Sequence, residues 1–141
     1  MSIALYLCLK SLAGAIGCFT VGVFIDLDHF HDYFVYSRFR AASLKQFFDA
    51  CHNMKLSKLY LVFHSYEIIL LLFLAGFLTG WNDLTIGMST GFILHLVLDE
   101  LTNKKRYPLK PLFYFFTYRL IKGFRKELLT SRSDMPRYAR D

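Results

Sequence analysis

The stretch Ile93-Leu94-His95-Leu96-Val97-Leu98-Asp99-Glu100-Leu101-Thr102-Asn103 carries a histidine and, four residues on, a carboxylate in an apolar run. In a helix, residues four apart lie on one face, a turn above each other, so His95 and Asp99 can point at a single spot. Ile93, Leu94, Leu96, Val97 and Leu98 suit lipid or a helix bundle. Ionisable groups in such surroundings are costly and default to a functional reading with a partner to be found elsewhere. Two other stretches offer partners of the same chemistry, Asp26-Leu27-Asp28-His29 and His64-Ser65-Tyr66-Glu67. The expectation is that all three meet at one metal site.

Composition supports a membrane setting. The chain has 141 residues, enough for one domain, and 55% of them are hydrophobic. The mean hydropathy is +0.34, above what a soluble domain of this size needs to fill its core. The formal net charge of +6 is unevenly placed. From Lys104 onward eleven Lys and Arg face only Glu127, Asp134 and Asp141, whereas the preceding part is slightly acidic. A basic tail on an apolar body points to anionic lipid head groups. Nucleic acid is the rival partner, but the chain contains no recognised nucleic-acid module. Cys8, Cys18 and Cys51 are odd in number and far apart, which argues against a disulfide framework or a zinc knuckle and for inert thiols.

In chain order, residues 3–27 are apolar and long enough to span a bilayer. No basic residue precedes the run and it continues past Cys18, so it reads as a permanent anchor rather than a cleaved signal. Gly14, Gly17 and Gly22 offer small positions for close helix approach. Residues 43–54 show weak helical periodicity and read as a short surface helix. Residues 59–81 form a second expected span, interrupted by His64 and Glu67, and residues 80–83 a turn with Trp81 as interfacial anchor. Residues 84–101 form the third. Residues 112–129 read as a basic amphipathic helix lying on the membrane, with Phe113, Phe116, Leu120 and Phe124 on one face. Residues 131–141 read as a disordered basic tail. The expected fold is thus all-α: an integral membrane helical bundle of about three transmembrane helices plus that C-terminal helix. Residues 1–130 form a single membrane-embedded metal-binding domain.

Charge sets the expected topology. The loop from Arg38 to Lys58 and the segment after Lys104 are basic, so both should face the cytoplasm of a bacterial-type inner membrane. The three polar stretches then fall at a similar depth under that face. Imidazole with carboxylate suits Zn²⁺, Mn²⁺ or Fe. Asp28, His29, His64, His95 and Asp99 are the expected metal ligands. Asp26 or Glu67 would complete a second ligand set or act as general base. Taken singly, each stretch has a plainer reading: a solvated helix end, a hydrogen-bonded bundle histidine, a structural polar pair. His31 and His52 lie in polar sequence and read as surface residues.

The order Asp-x-Asp-His, His-Ser, His-x-x-x-Asp-x-x-Thr resembles the membrane-bound metal-dependent hydrolase family, the YdjM-like inner-membrane proteins. The residues that carry the resemblance are Asp26, Asp28 and His29, then His64 and Ser65, then His95, Asp99 and Thr102, followed by Tyr107-Pro108-Leu109. The resemblance implies that these residues ligate metal in a helical membrane protein with hydrolase activity. This chain departs from the family pattern in three places. It has no histidine before His29, Leu61-Val62-Phe63-His64-Ser65 lacks the first histidine of the middle motif, and Ile25 replaces a proline. Glu67 is the substitute ligand the chain offers.

The expected function is hydrolysis of an ester or phosphoester by metal-activated water, with one or two divalent ions and an anionic phospholipid or lipid-linked phosphate as substrate. The alternative is a non-enzymatic membrane protein with a structural metal site or a proton or ion relay, whose basic tail recruits a partner. Three spans make a thin wall around a site, which leaves room for a homo-oligomer.

Overall fold

The computed structural model describes residues 10–38, 43–53, 55–107 and 109–131. Residues 3–9, the tail beyond 131 and the side chains of Lys104, Lys105, Arg106 and His52 lie outside that description. Seven helices are present among the described residues: α1 Leu12–Phe24, α2 Leu27–Tyr36, α3 Leu44–His52, α4 Tyr66–Leu78, α5 Asp83–Arg106, α6 Phe116–Ile121 and α7 Lys126–Leu129. No strand occurs among them, so the all-α expectation holds. The chain divides into two compact units, one with the chain up to Asp26 and Phe63–Leu101, the other with Leu27–Val62 and the chain from Thr102.

The first unit is built on backbone contact between α1 and α5. Ser11 caps α1, its hydroxyl accepting from Gly14 N at 3.3 Å. Gly14, Gly17 and Cys18 form the buried face of α1. Gly87 and Gly91, one turn apart on α5, meet it. A methyl group at Gly91 would sit 2.6 Å from the Cys18 carbonyl oxygen, and one at Gly87 would overlap the Gly14 carbonyl. This is close approach through small residues four apart, the way helices pack where lipid removes the hydrophobic drive between them. α4 and α5 are joined by a tight turn, as expected for residues 80–83. Gly80 takes a φ of +68°, Trp81 N donates to Gly76 O at 2.7 Å, and Asn82 Oδ1 caps α5 by accepting from Thr85 N at 3.0 Å. The Trp81 indole covers Gly76, where a Cβ would come within 2.7 Å of the ring.

Leu12–Tyr36 and Asp83–Asn103 are long and apolar enough to cross a membrane. The expected second span is shorter than its apolar run: α4 has thirteen residues, about 20 Å of helix, and residues 59–65 are not helical. Outward-facing Leu12, Ile16, Phe19, Val23, Leu70, Leu74, Phe77 and Leu78 are exposed.

The second unit packs α2 against α3. Phe30 and Phe47 stack with centroids 4.3 Å apart, and Tyr33 meets Phe47 edge-on at 5.4 Å. α3 bears out the expected surface helix, capped by Ser43. Residues 57–62 form an irregular segment with Leu61 at a φ of +43°, joined to the C-terminal segment by Leu59 N to Phe124 O at 2.9 Å and Lys126 N to Ser57 O at 3.1 Å. Two fully buried charged side chains hold this segment from opposite sides. Asp32 accepts from Tyr60 N at 2.8 Å and Leu61 N at 3.3 Å. Arg119 donates from Nε to Tyr60 O at 3.2 Å, from Nη2 to Leu61 O at 2.8 Å and from Nη1 to Phe113 O at 2.6 Å.

The expected amphipathic helix over residues 112–129 is not continuous. It breaks into α6 and α7 at Gly123 and Phe124, whose φ angles are +61° and +59°. Arg119 turns inward to bind carbonyls and Phe113 is buried, so charge and apolar face do not separate as an interfacial helix requires.

Candidate metal centre

Asp26, His64 and His95 come together in the first unit, with one potential ligand atom from each lying within 4.8 Å of the other two. Three different local structures deliver them. Asp26 stands in the turn that follows α1, where Ile25 N and Asp26 N still donate back to Val21 O and Val23 O. His64 stands just ahead of α4, whose N-cap is Ser65. The chain bends there, with Ser65 N donating to Phe63 O at 2.9 Å. His95 projects from the middle of α5, one turn beyond the Gly91 contact with α1.

Asp26 Oδ1 lies 3.5 Å from His64 Nε2 and 3.4 Å from His95 Nε2. The two imidazoles meet edge to face, centroids 5.4 Å apart at 73°. His95 Nδ1 is 3.2 Å from the Gly22 carbonyl oxygen. A carbonyl can only accept, so Nδ1 carries the proton. In neutral His95, Nε2 then presents a lone pair toward the Asp26 carboxylate. Nε2 can therefore ligate a cation shared with that carboxylate, or carry a second proton and pair with it directly. A backbone carbonyl behind a histidine is also the arrangement that fixes the tautomer and orientation of a metal-binding imidazole. The side chain of His64 is 1% exposed, that of His95 18% and that of Asp26 55%. The group is therefore walled on the histidine sides and open on the carboxylate side. Two nitrogens and one oxygen suit zinc, manganese or iron.

The structure thus gathers two of the expected ligands with Asp26, which the sequence placed in a second ligand set or as general base. Glu67 and Asp99 lie in the same unit, half-buried and outside this group of three: Glu67 in the first turn of α4, Asp99 one turn beyond His95 on α5. His64 itself precedes α4, which starts at Tyr66. Asp28 and His29 belong to the second unit on α2, Asp28 buried and His29 half-buried. Asp32, farther along α2, is a buried acceptor for backbone amides.

Sequence reasoning missed the bond from Tyr66 Oη to Glu100 Oε2, 2.5 Å long, which links the first turn of α4 to α5. The signal was slight. Tyrosine is not an expected ligand for these metals, and Glu100, five residues past His95, falls off the shared helical face. No protein-family model, curated protein or solved structure matches this chain.

Proposed function

We propose that Asp26, His64 and His95 hold one divalent cation, and that the protein is a membrane-embedded hydrolase acting on an ester or phosphoester at the cytoplasmic boundary of the bilayer. The observation that carries this reading is the convergence of one carboxylate and two imidazoles, one ligand atom from each lying within 4.8 Å of the other two. His95 Nδ1 lies against the Gly22 carbonyl oxygen, which leaves Nε2 facing the Asp26 carboxylate. Three protein ligands leave a coordination position open, the mark of a catalytic rather than a structural site. A bound divalent ion lowers the pKa of water enough to supply hydroxide near neutral pH. The exposed side of Asp26 gives substrate and solvent their approach, and Glu67 is the proposed general base. The resemblance to the membrane-bound metal-dependent hydrolases supports the same reading through His64, Ser65, His95, Asp99 and Thr102.

The test is metal content with stoichiometry on protein purified in detergent, followed by a panel of ester and phosphoester substrates in mixed micelles. One ion per chain is expected, with metal-dependent hydrolysis. His64→Ala and His95→Ala should each lose the ion, and His52→Ala, outside all three motifs, should keep it. Full metal content in both variants would contradict the assignment. A metal-free protein in which the pair binds only a proton would favour the relay alternative.

A further inference from the structure

The first unit also contains an apolar cavity of about 220 Å³ whose eight lining side chains are all hydrocarbon or thioether. Its walls are chain neighbours of the metal-centre residues. Ile25 precedes Asp26, Phe63 precedes His64, and Phe92 lies one turn before His95 on α5. Ile68, Leu72 and Met88 continue the lining away from that group. Phe92 and Met88 lie three and seven residues before His95, so the cavity runs from about 5 to about 10 Å from the histidine along α5. That direction leads away from Asp99 and Glu100, toward the Asp83 end of α5.

We propose that the cavity receives the hydrocarbon chain of an amphiphilic ester or phosphoester whose polar head lies at Asp26, His64 and His95. This rests on the metal-centre reading and names its substrate class: a lipid or other long-chain ester. Two features carry it. The cavity exceeds the roughly 150 Å³ apolar void known to accept a benzene ring. It offers no polar partner, so a head group placed there would lose its hydrogen bonds to water without replacement. Hydrolysis adds water across the ester bond: hydroxide joins the acyl carbon or phosphorus, the bond to the leaving oxygen breaks, and that oxygen takes the proton.

The test uses the full chain, loaded with zinc, in a fluorinated surfactant whose tails do not mix with hydrocarbon. Binding of alkyl phosphates from methyl to decyl is followed by calorimetry, with zinc stoichiometry measured on the same samples. Affinity should rise about fourfold per methylene, the factor given by about 0.8 kcal/mol per buried CH₂, until the cavity is full and the series levels off. Leu72→Trp, which fills the cavity, should bring the plateau to shorter chains; Met88→Phe makes the same test with a smaller addition. Leu78→Trp, on the outer face of α4 and 74% exposed, should leave the series as in the parent. Zinc binding with no dependence on chain length, or a plateau that neither filling variant shortens, overturns the inference while the metal centre stands. Failure of the parent protein to bind zinc, manganese or iron overturns the metal reading, and this inference with it.

Discussion

His95 shows how one backbone contact sets the chemistry of a side chain. The Gly22 carbonyl accepts from His95 Nδ1, so the ring faces Asp26 through Nε2. His95→Gln, which keeps an amide donor but loses the imidazole nitrogen, should reduce metal affinity strongly while far-ultraviolet circular dichroism stays that of the parent. Arg119 works differently, as a structural cation spent on three buried carbonyls. Each buried acceptor left unpaired costs about 1–3 kcal/mol, so Arg119→Leu should lower the free energy of unfolding by several kcal/mol. Arg119→Lys should restore little of that loss, because one ammonium cannot match the planar fork of a guanidinium. Denaturant titration of the purified protein measures both. Cys51, on α3, is held as a thiol: burial pushes its pKa up to about 11, and the nearby Asp32 charge adds to the shift. Since the thiolate is the nucleophile, Cys51 should alkylate slowly near neutral pH and speed up only as pH approaches that value. Rapid labelling of Cys51 at neutral pH would refute this.

Among the elements, the α1–α5 pair shows what glycine spacing does. Gly87 and Gly91 let α5 lie on the α1 backbone, and that contact sets His95 one turn away at the depth of Gly22. Gly91→Val should force the helices apart and lower both stability and metal affinity. Gly22→Ala meets nothing within 4 Å and should be neutral or slightly stabilising, since alanine favours helix over glycine by about 1 kcal/mol. Thermal unfolding of the two variants, with metal content measured alongside, tests whether helix contact and site are coupled. α6 and α7 give the opposite lesson. Their combined sequence is apolar and basic enough for one interfacial helix, yet positive φ at Gly123 and Phe124 and the inward turn of Arg119 divide it.

For the whole molecule, the proposed topology places the 80–83 turn outside and the basic segments in the cytoplasm. A single cysteine at Asn82, in a background lacking Cys8, Cys18 and Cys51, should react with a membrane-impermeant thiol reagent added to intact cells. One at Asn53 or Ser131 should react only after the membrane is opened. The reverse pattern would put Asp26, His64 and His95 on the external side and remove cytoplasmic substrates from consideration.

By itself the sequence determined the all-α class, the two long apolar stretches, the surface helix at α3 and the turn at residues 80–83. These depend on local hydropathy, periodicity and the chemistry of glycine and asparagine. It also brought out His64 and His95, because an imidazole in an apolar run is conspicuous wherever it folds. Only the tertiary structure decided that Asp26 joins them: four carboxylates and three histidines at suitable spacing allow many groupings, and the choice depends on where the chain turns after α1. It alone moved the start of α4 to Tyr66, leaving His64 ahead of the helix on a bend that no residue pattern announces. It also turned Arg119 from an apparent membrane-facing charge into a buried clamp on residues 60–61, since a cation's location depends on which carbonyls the fold leaves in need of a donor.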